Sequence, residues 1–205
     1  MNAVGQYGKS LQALKLSIGK GRKSIEFAEF IDLSRGKITS LSIIKNAALD
    51  VKSLKIIASN CPNLESLDFS YSVLNDPEVL INFASSCPEL TKLNLWDCKE
   101  IKPEVLVNVT RHSHKLKKLI LAFCGEIDSD ALVGAAKRCP DLTHLILRGC
   151  TNITGGAVLR VLGYCTRLRY LDLVICAQIA KSECEAMFKL RPSLNIKLAS
   201  GTKFC

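Results

Sequence analysis

Ten cysteines in 205 residues are the side chains most able to do chemistry, as zinc ligands, disulfides or nucleophiles. Zinc sites usually draw on Cys-x-x-Cys pairs, and the sequence contains none. Disulfide scaffolds are typical of secreted chains, but the N-terminus MNAVGQYGKSLQ lacks the apolar stretch of a secretion signal. We therefore expect no metal, no cofactor and a cytoplasmic and/or nuclear location.

Eight of the cysteines fall into two sets with regular spacing. One set is Cys61, Cys87, Cys139 and Cys165, and the other is Cys98, Cys124, Cys150 and Cys176. Metal or redox chemistry would require a cysteine at every equivalent position, yet Ser113 and Ser72 occupy two of these positions. A thiol is small, apolar enough for a core and a weak hydrogen-bond donor. This pattern favours buried packing residues over ligands.

The histidines do not form a recognisable catalytic group. His112 and His114 flank Ser113, and no carboxylate pair or nucleophile accompanies His144 at a suitable spacing. Gly19 and Gly21 lack the G-x-x-x-x-G-K-[ST] spacing of a phosphate-binding loop. The sequence therefore predicts no catalytic residues and a protein that is not an enzyme.

The charge is also unlike that of a nucleic-acid or membrane binder. The formal net charge is +9, and it alternates along the chain between basic and acidic blocks, with no basic tail. No apolar run approaches the roughly 20 residues needed to cross a bilayer. We expect neither nucleic acid nor membrane as a partner.

A repeat of 26 residues explains the cysteine spacing. CPELTKLNLWDC from Cys87 and CPDLTHLILRGC from Cys139 are two copies of it. We place the repeat starts near residues 8, 35, 61, 87, 113, 139 and 165, with a shortened unit at 191. The first copy is separated from the second by one extra residue. Residues 1–205 are predicted to form a single domain.

Each unit combines a strand with a helix. In L-x-x-L-x-L, Leu93 and Leu95 point to one side of a short strand and Asn94 to the other. The second half has helical spacing, as in the apolar stripe from Ala131 to Ala136 that follows a candidate N-cap at Ser129. Asp128, Asp76 and Pro103, at the corresponding bends, are also good helix-start residues. The sequence predicts an α/β leucine-rich-repeat solenoid, a horseshoe arc with parallel strands on the concave face and helices on the convex face.

The unit C-P-x-L-x-x-L-x-L-x-x-C, with pieces such as EIDSDAL and NITGGAV, resembles the cysteine-containing repeat of F-box/leucine-rich-repeat proteins. The resemblance implies substrate recognition for an SCF-type ubiquitin ligase, leading to proteasomal degradation. In that family an F-box before the repeats recruits the ligase adaptor. Because repeats begin by Leu11, we expect either an F-box on an upstream segment or a repeat-only relative, similar to the mitotic-exit regulators with the same repeats.

The outward side chains of the strands, and those just after them, predict a partner-binding surface. In the fourth to seventh repeats several of these are large and apolar, and basic and aromatic groups surround them, which is the composition of a protein-binding hot spot. The predicted site residues are Trp96, Ile120, Phe123, Ile146, Arg148, Lys118, His144, Tyr170, Val174 and Ile175.

Other functions remain open on the same surface. Its basic groups Lys92, Lys117, Lys118, Arg148 and Arg169 suit a phosphorylated segment. A ligand-dependent receptor would hold an anion or metabolite beside Lys118 and Arg148. A leucine-rich-repeat scaffold or inhibitor without an F-box would bind a regulatory protein and no ligase subunit.

Overall fold

Eight parallel strands form one sheet in strict chain order. The computed structural model describes residues 12–17, 36–45, 50–74 and 76–198. The strands are β1 Ala13–Ser17, β2 Ser40–Ile44, β3 Ser66–Asp68, β4 Lys92–Asn94, β5 Lys118–Ile120, β6 His144–Ile146, β7 Tyr170–Asp172 and β8 Asn195–Lys197. Since each strand pairs only with its neighbours in sequence, the chain advances by one strand per repeat.

Six helices occupy the connections between strands in the described ranges. They are α1 Val51–Asn60, α2 Glu78–Ser86, α3 Pro103–His112, α4 Ser129–Arg138, α5 Gly155–Tyr164 and α6 Lys181–Leu190. Consecutive helices pack against one another on the convex side. Each of these helices is too short or too polar to cross a lipid bilayer.

The strand register confirms the predicted solenoid and its period. Lys92 pairs with Lys118, which pairs with His144, so each strand advances by 26 residues. The step from Ala13 to Ser40 is one residue longer, as the sequence indicated. The step from Tyr170 to Asn195 is one residue shorter, which accounts for the shortened last unit. The predicted starts at residues 8 and 35 lie outside the described residues, and the extent of the domain stays a prediction.

A single buried apolar cluster runs through the stack from Ile38 to Leu194. The middle leucine of each strand from β3 to β7 lies in it, and Leu93, Leu119 and Leu145 are at most 1% exposed. Burial of each such side chain stabilises the fold by about 1.5–3 kcal/mol. The inward residues thereby fix which side chains face outward on the concave face.

Polar side chains cap the starts of α1, α4 and α5. The Asp128 carboxylate accepts a hydrogen bond from the Ala131 amide at 2.8 Å, and the Thr154 hydroxyl accepts one from the Ala157 amide at 3.3 Å. Of the two candidates at the start of α4, Asp128 is the N-cap, because it has the extended backbone of a cap, and Ser129 is already helical. Pro103 stands at the first turn of α3, as predicted for a helix start.

One set of cysteines forms a ladder of thiol hydrogen bonds between repeats. Cys98 donates to the Phe69 carbonyl at 3.1 Å, and Cys124 donates to Leu95 at the same distance. Equivalent bonds of 3.0 Å join Cys150 to Leu121 and Cys176 to Leu147. Ser72 takes the cysteine position in its repeat and donates to Ile43 at 2.9 Å.

The other set of cysteines, which opens the repeats, forms a second ladder with one gap. Cys87 donates to the Cys61 carbonyl at 3.2 Å, and Cys139 donates to Ser113 at 3.4 Å. The Ser113 hydroxyl is fully buried and has no hydrogen-bond partner among the described residues. Arg191, at the end of this ladder, donates to the Cys165 carbonyl at 3.3 Å and also to the carbonyls of Leu162 and Thr166 at 2.8 Å.

These ladders confirm the packing interpretation of the cysteines. All nine in the described ranges are buried free thiols, including Cys184 on α6; Cys205 lies outside those ranges. Burial raises the pKa of Cys61 to about 11 and that of Cys150 to about 12. A thiol with such a pKa is protonated at neutral pH and is therefore a poor nucleophile and a poor metal ligand.

Candidate functional site

The concave face carries two rows of outward strand side chains. In β5, Lys118 and Ile120 face outward while Leu119 lies in the core. Register places Lys118 beside His144, and Ile120 beside Ile146. Because paired strands are about 4.8 Å apart, these side chains form continuous rows across the sheet. Lys118, His144, Tyr170 and Ile146 are partly exposed there, as predicted.

A turn after each strand forms the edge of this face, which we call the rim: Lys45, Tyr71, Asp97, Phe123, Gly149 and Ile175. All six have left-handed backbones, with φ between 54° and 68°. This conformation costs a residue other than glycine roughly 1–2 kcal/mol. It is held by bonds to the next repeat, such as Phe123 N–H to the Arg148 carbonyl at 2.7 Å. The rim therefore has a fixed shape.

Large apolar side chains project from the rim into solvent. Ile175 is 58% exposed, Tyr71 46% and Phe123 36%. The Phe123 and partly exposed Trp96 rings lie 5.9 Å apart, tilted by 53°. The Phe123 ring also covers Gly149, since a Cβ at that glycine would lie 2.5 Å from the ring. Trp96, Phe123 and the bare backbone of Gly149 thus form an apolar platform.

Two predicted contact residues are not accessible. Ile120 is 7% exposed and Val174 is 8% exposed, so the expectation that they meet water is wrong. Ile120 lies between Asn94 and Ile146 on the adjacent strands, close enough for those side chains to cover it. Val174 lies two residues after the end of β7, and its carbonyl accepts a hydrogen bond from the Gly149 amide at 2.9 Å. Both residues support the surface from below.

Arg148 is engaged in an ion pair. Its guanidinium donates to Asp172 at 3.1 Å, and the side chains are 22% and 6% exposed. The second carboxylate oxygen of Asp172 accepts the Val174 amide at 3.0 Å. An anion approaching Arg148 would compete with this carboxylate. A cavity of about 650 Å³ opens along α1 on the helical side and not beside Arg148.

Basic groups collect at the N-terminal ends of the central strands. Burial lowers the pKa of His144, and the positive charges of Lys118 and Arg169 lower it further. The His144 Nδ1 lies 2.9 Å from the Thr143 hydroxyl, and its ring lies 6.0 Å from that of Tyr170. Within the described part of the chain, no three His, Cys, Asp or Glu side chains converge as metal ligands would.

The predicted site leaves out two exposed apolar residues that follow the third strand. Tyr71 is part of the rim, and Val73 follows it with 51% exposure. Lys45 approaches the Tyr71 ring at 5.9 Å. The register of Phe123 and Ile175 contains Tyr71 as well, so the same spacing could have identified it. The apolar rim therefore begins one repeat earlier than expected.

The strands, helices and register define a leucine-rich-repeat solenoid fold, and solved structures with the same architecture agree. Yeast Rad7, solved in complex with Elc1, matches at 17% identity and a TM-score of 0.64 over 95% of this chain and 66% of that chain. LegL7 of Legionella pneumophila matches at 19% identity and 0.57 over 86% and 61%. An internalin of Listeria monocytogenes matches at 16% and 0.57 over 93% and 56%.

These similarities establish the fold. The chain spans about two thirds or less of the length of each of those three proteins. No protein-family model matches the sequence, and no curated protein matches it. The function must therefore be inferred from the face itself.

Proposed function

We propose that this chain is a protein-interaction module whose concave face and rim hold a partner protein. The observation that carries the proposal is the platform of Trp96 and Phe123, with Ile175 further along the rim. Exposed aromatic and aliphatic groups on a rigid backbone lose little conformational freedom on binding, and such groups dominate the energetics of protein interfaces. The module binds, and other proteins supply any chemistry.

We further propose that the bound partner is a substrate of an SCF-type ubiquitin ligase. Two observations support this assignment: the C-P-x-L-x-x-L-x-L-x-x-C repeats resemble those of F-box/leucine-rich-repeat proteins, and the fold is similar to that of Rad7. Rad7 was solved as a complex with Elc1. Ligase subunits would join outside the concave face, and the face described above would select the substrate.

Affinity purification from cells followed by mass spectrometry tests both proposals. The wild-type chain is compared with Trp96→Ala/Phe123→Ala. A matched control is Tyr164→Ala/Leu190→Ala, which removes two large apolar side chains, 38% and 54% exposed, from the convex helices. Circular dichroism establishes that all three proteins are folded.

We expect one set of partners to be lost in the concave variant and kept in the convex control. Cullin and adaptor subunits recovered with all three proteins would support the ligase assignment, because they bind elsewhere. A rim-dependent partner without ligase subunits would instead support the alternative, a scaffold or inhibitor without an F-box. Identical partners for all three proteins would contradict binding on this face.

A further inference from the structure

We infer that the partner carries an acidic segment beside an apolar anchor, and that the acidic segment binds a basic cluster at the N-terminal ends of β4 to β7. The basic cluster consists of Lys92, Lys117, Lys118 and Arg169, beside His144. This inference rests on the proposed function, since it assigns chemistry to the partner of the same concave face. The apolar anchor would occupy the platform at the rim.

The cluster brings like charges together without neutralising them. Lys92 and Lys118 are directly paired across β4 and β5, an arrangement that is unfavourable in an isolated sheet. No ion pair within the described ranges involves any of the four cations. Lys118 and Arg169 lie close enough to His144 to add to the effect of burial, which lowers the pKa of its imidazole.

Basic residues close to the cluster in sequence do form ion pairs. Two residues before Lys117, Lys115 is paired with Glu89. Two residues before Arg169, Arg167 is paired with Asp141 at 2.9 Å. The same repeats thus neutralise the cations outside the concave face and leave those of the cluster unneutralised. An acidic partner would supply the missing charge.

Charges elsewhere on the face argue for a peptide and against a polyanion. Asp68 lies in the outward row next to the cluster, and Asp97 lies on the rim. A nucleic acid would bring phosphates against these carboxylates as it crossed the face. A peptide can confine its negative charge to the cluster. Along the strand direction, the cluster and the platform are roughly 10–15 Å apart, which an extended peptide spans in about three to four residues.

Fluorescence anisotropy with labelled peptides and the full chain tests this inference. The probe peptide has two glutamates, a three-residue Gly-Ser spacer, then Leu-Phe. A second peptide replaces the glutamates with lysines, and a third replaces Leu-Phe with serines. We expect saturable binding of the first peptide, weakening as salt is raised because exposed charges are screened, and weaker binding of the other two.

The charge-reversal variant Lys118→Glu/Arg169→Glu should weaken binding of the glutamate peptide by about tenfold or more. The matched control Lys55→Glu/Arg160→Glu reverses one lysine and one arginine within helices α1 and α5, and it should leave the affinity unchanged. Equal affinity of both variants would overturn the inference. So would no saturable binding up to about 1 mM peptide, equal binding of the lysine peptide, or tighter binding of a labelled single-stranded DNA.

The two proposals fail in different ways. Partners that are lost in Trp96→Ala/Phe123→Ala but fully kept in Lys118→Glu/Arg169→Glu would overturn the acidic segment and leave the proposed function intact. Glutamate-peptide binding that depends on Lys118 and Arg169, with no partner lost in the Trp96→Ala/Phe123→Ala variant, would support the basic cluster and contradict the platform as an anchor.

Discussion

Two buried serines should respond in opposite ways to the same substitution. Ser113 is fully buried, and its hydroxyl has no partner in the described ranges. Ser72 is 2% exposed and donates to the Ile43 carbonyl at 2.9 Å. Ser72→Ala therefore breaks a bond and should lower the free energy of unfolding by about 1–2 kcal/mol. Ser113→Ala removes an unpaired hydroxyl and should leave stability unchanged or slightly higher.

A cysteine at position 113 should do more. Cys87 and Cys139, at equivalent positions, reach the carbonyl one repeat earlier at 3.2 and 3.4 Å. The longer bond from carbon to sulfur would bring a thiol at position 113 toward the Cys87 carbonyl. Removing a buried unpaired hydroxyl and gaining a weak bond is worth about 1–2 kcal/mol. For a chain of 205 residues, that corresponds to a rise in Tm of roughly 2–8 °C.

Thermal and urea unfolding, followed by circular dichroism under reducing conditions, measure all three variants. The expected order of stability is Ser113→Cys highest, Ser113→Ala close to wild type, and Ser72→Ala lowest. A loss of more than about 1 kcal/mol in Ser113→Cys would show that the site has no room for sulfur. Equal losses in both alanine variants would refute the distinction between a bonded and an unbonded hydroxyl.

Three further perturbations follow from the same contacts. Burial raises the pKa of thiols such as Cys87 and Cys98 to about 12, so these thiols ionise at a lower pH in the unfolded chain than in the folded one. The free energy of unfolding should therefore be intact below about pH 9 and fall above it. Urea midpoints that stay constant from about pH 8 to about pH 10 would contradict this. Arg148→Ala leaves the buried Asp172 carboxylate without its ion-pair partner and should lower the free energy of urea unfolding by about 1–3 kcal/mol. This loss is smaller than for a fully buried ion pair, because Arg148 is partly exposed. An unchanged free energy of unfolding would mean that solvent replaces the guanidinium. Gly149→Ala places a methyl group against the Phe123 ring on a left-handed backbone. It should displace that ring and lower the free energy of unfolding by about 1–2 kcal/mol. Unchanged stability together with unchanged partner capture would show that the platform does not depend on this glycine.

Periodicity alone was enough to predict the scaffold. Leu93, Leu119 and Leu145 recur at one spacing, and a parallel sheet stacks equivalent residues side by side, so their register and burial follow directly. The cysteine positions followed from the same spacing. The sequence did not decide between Asp128 and Ser129 as the N-cap of α4, because both are good capping residues.

The details of the face depend on neighbours that a repeat pattern does not specify. Outward facing was predicted for Ile120, but its exposure is set by the side chains on the adjoining strands. The pairing of Arg148 with Asp172 joins residues 24 positions apart whose side-chain conformations a sequence does not give. The sequence did not predict the left-handed backbone of Phe123 either. Glycine, the residue that would indicate this conformation, occupies the equivalent position only in the repeat that contains Gly149.

Site-specific photo-crosslinking tests the central claim most directly. A benzophenone-bearing phenylalanine analogue is placed at position 123 on the rim, which keeps an aromatic side chain there, and at position 164 on the convex side as the control. Both native residues are similarly exposed, at 36% and 38%. We predict that illumination in cells joins a partner protein covalently to position 123 and not to position 164. Capture of the same partner from position 164 alone would contradict binding through the concave face and its rim.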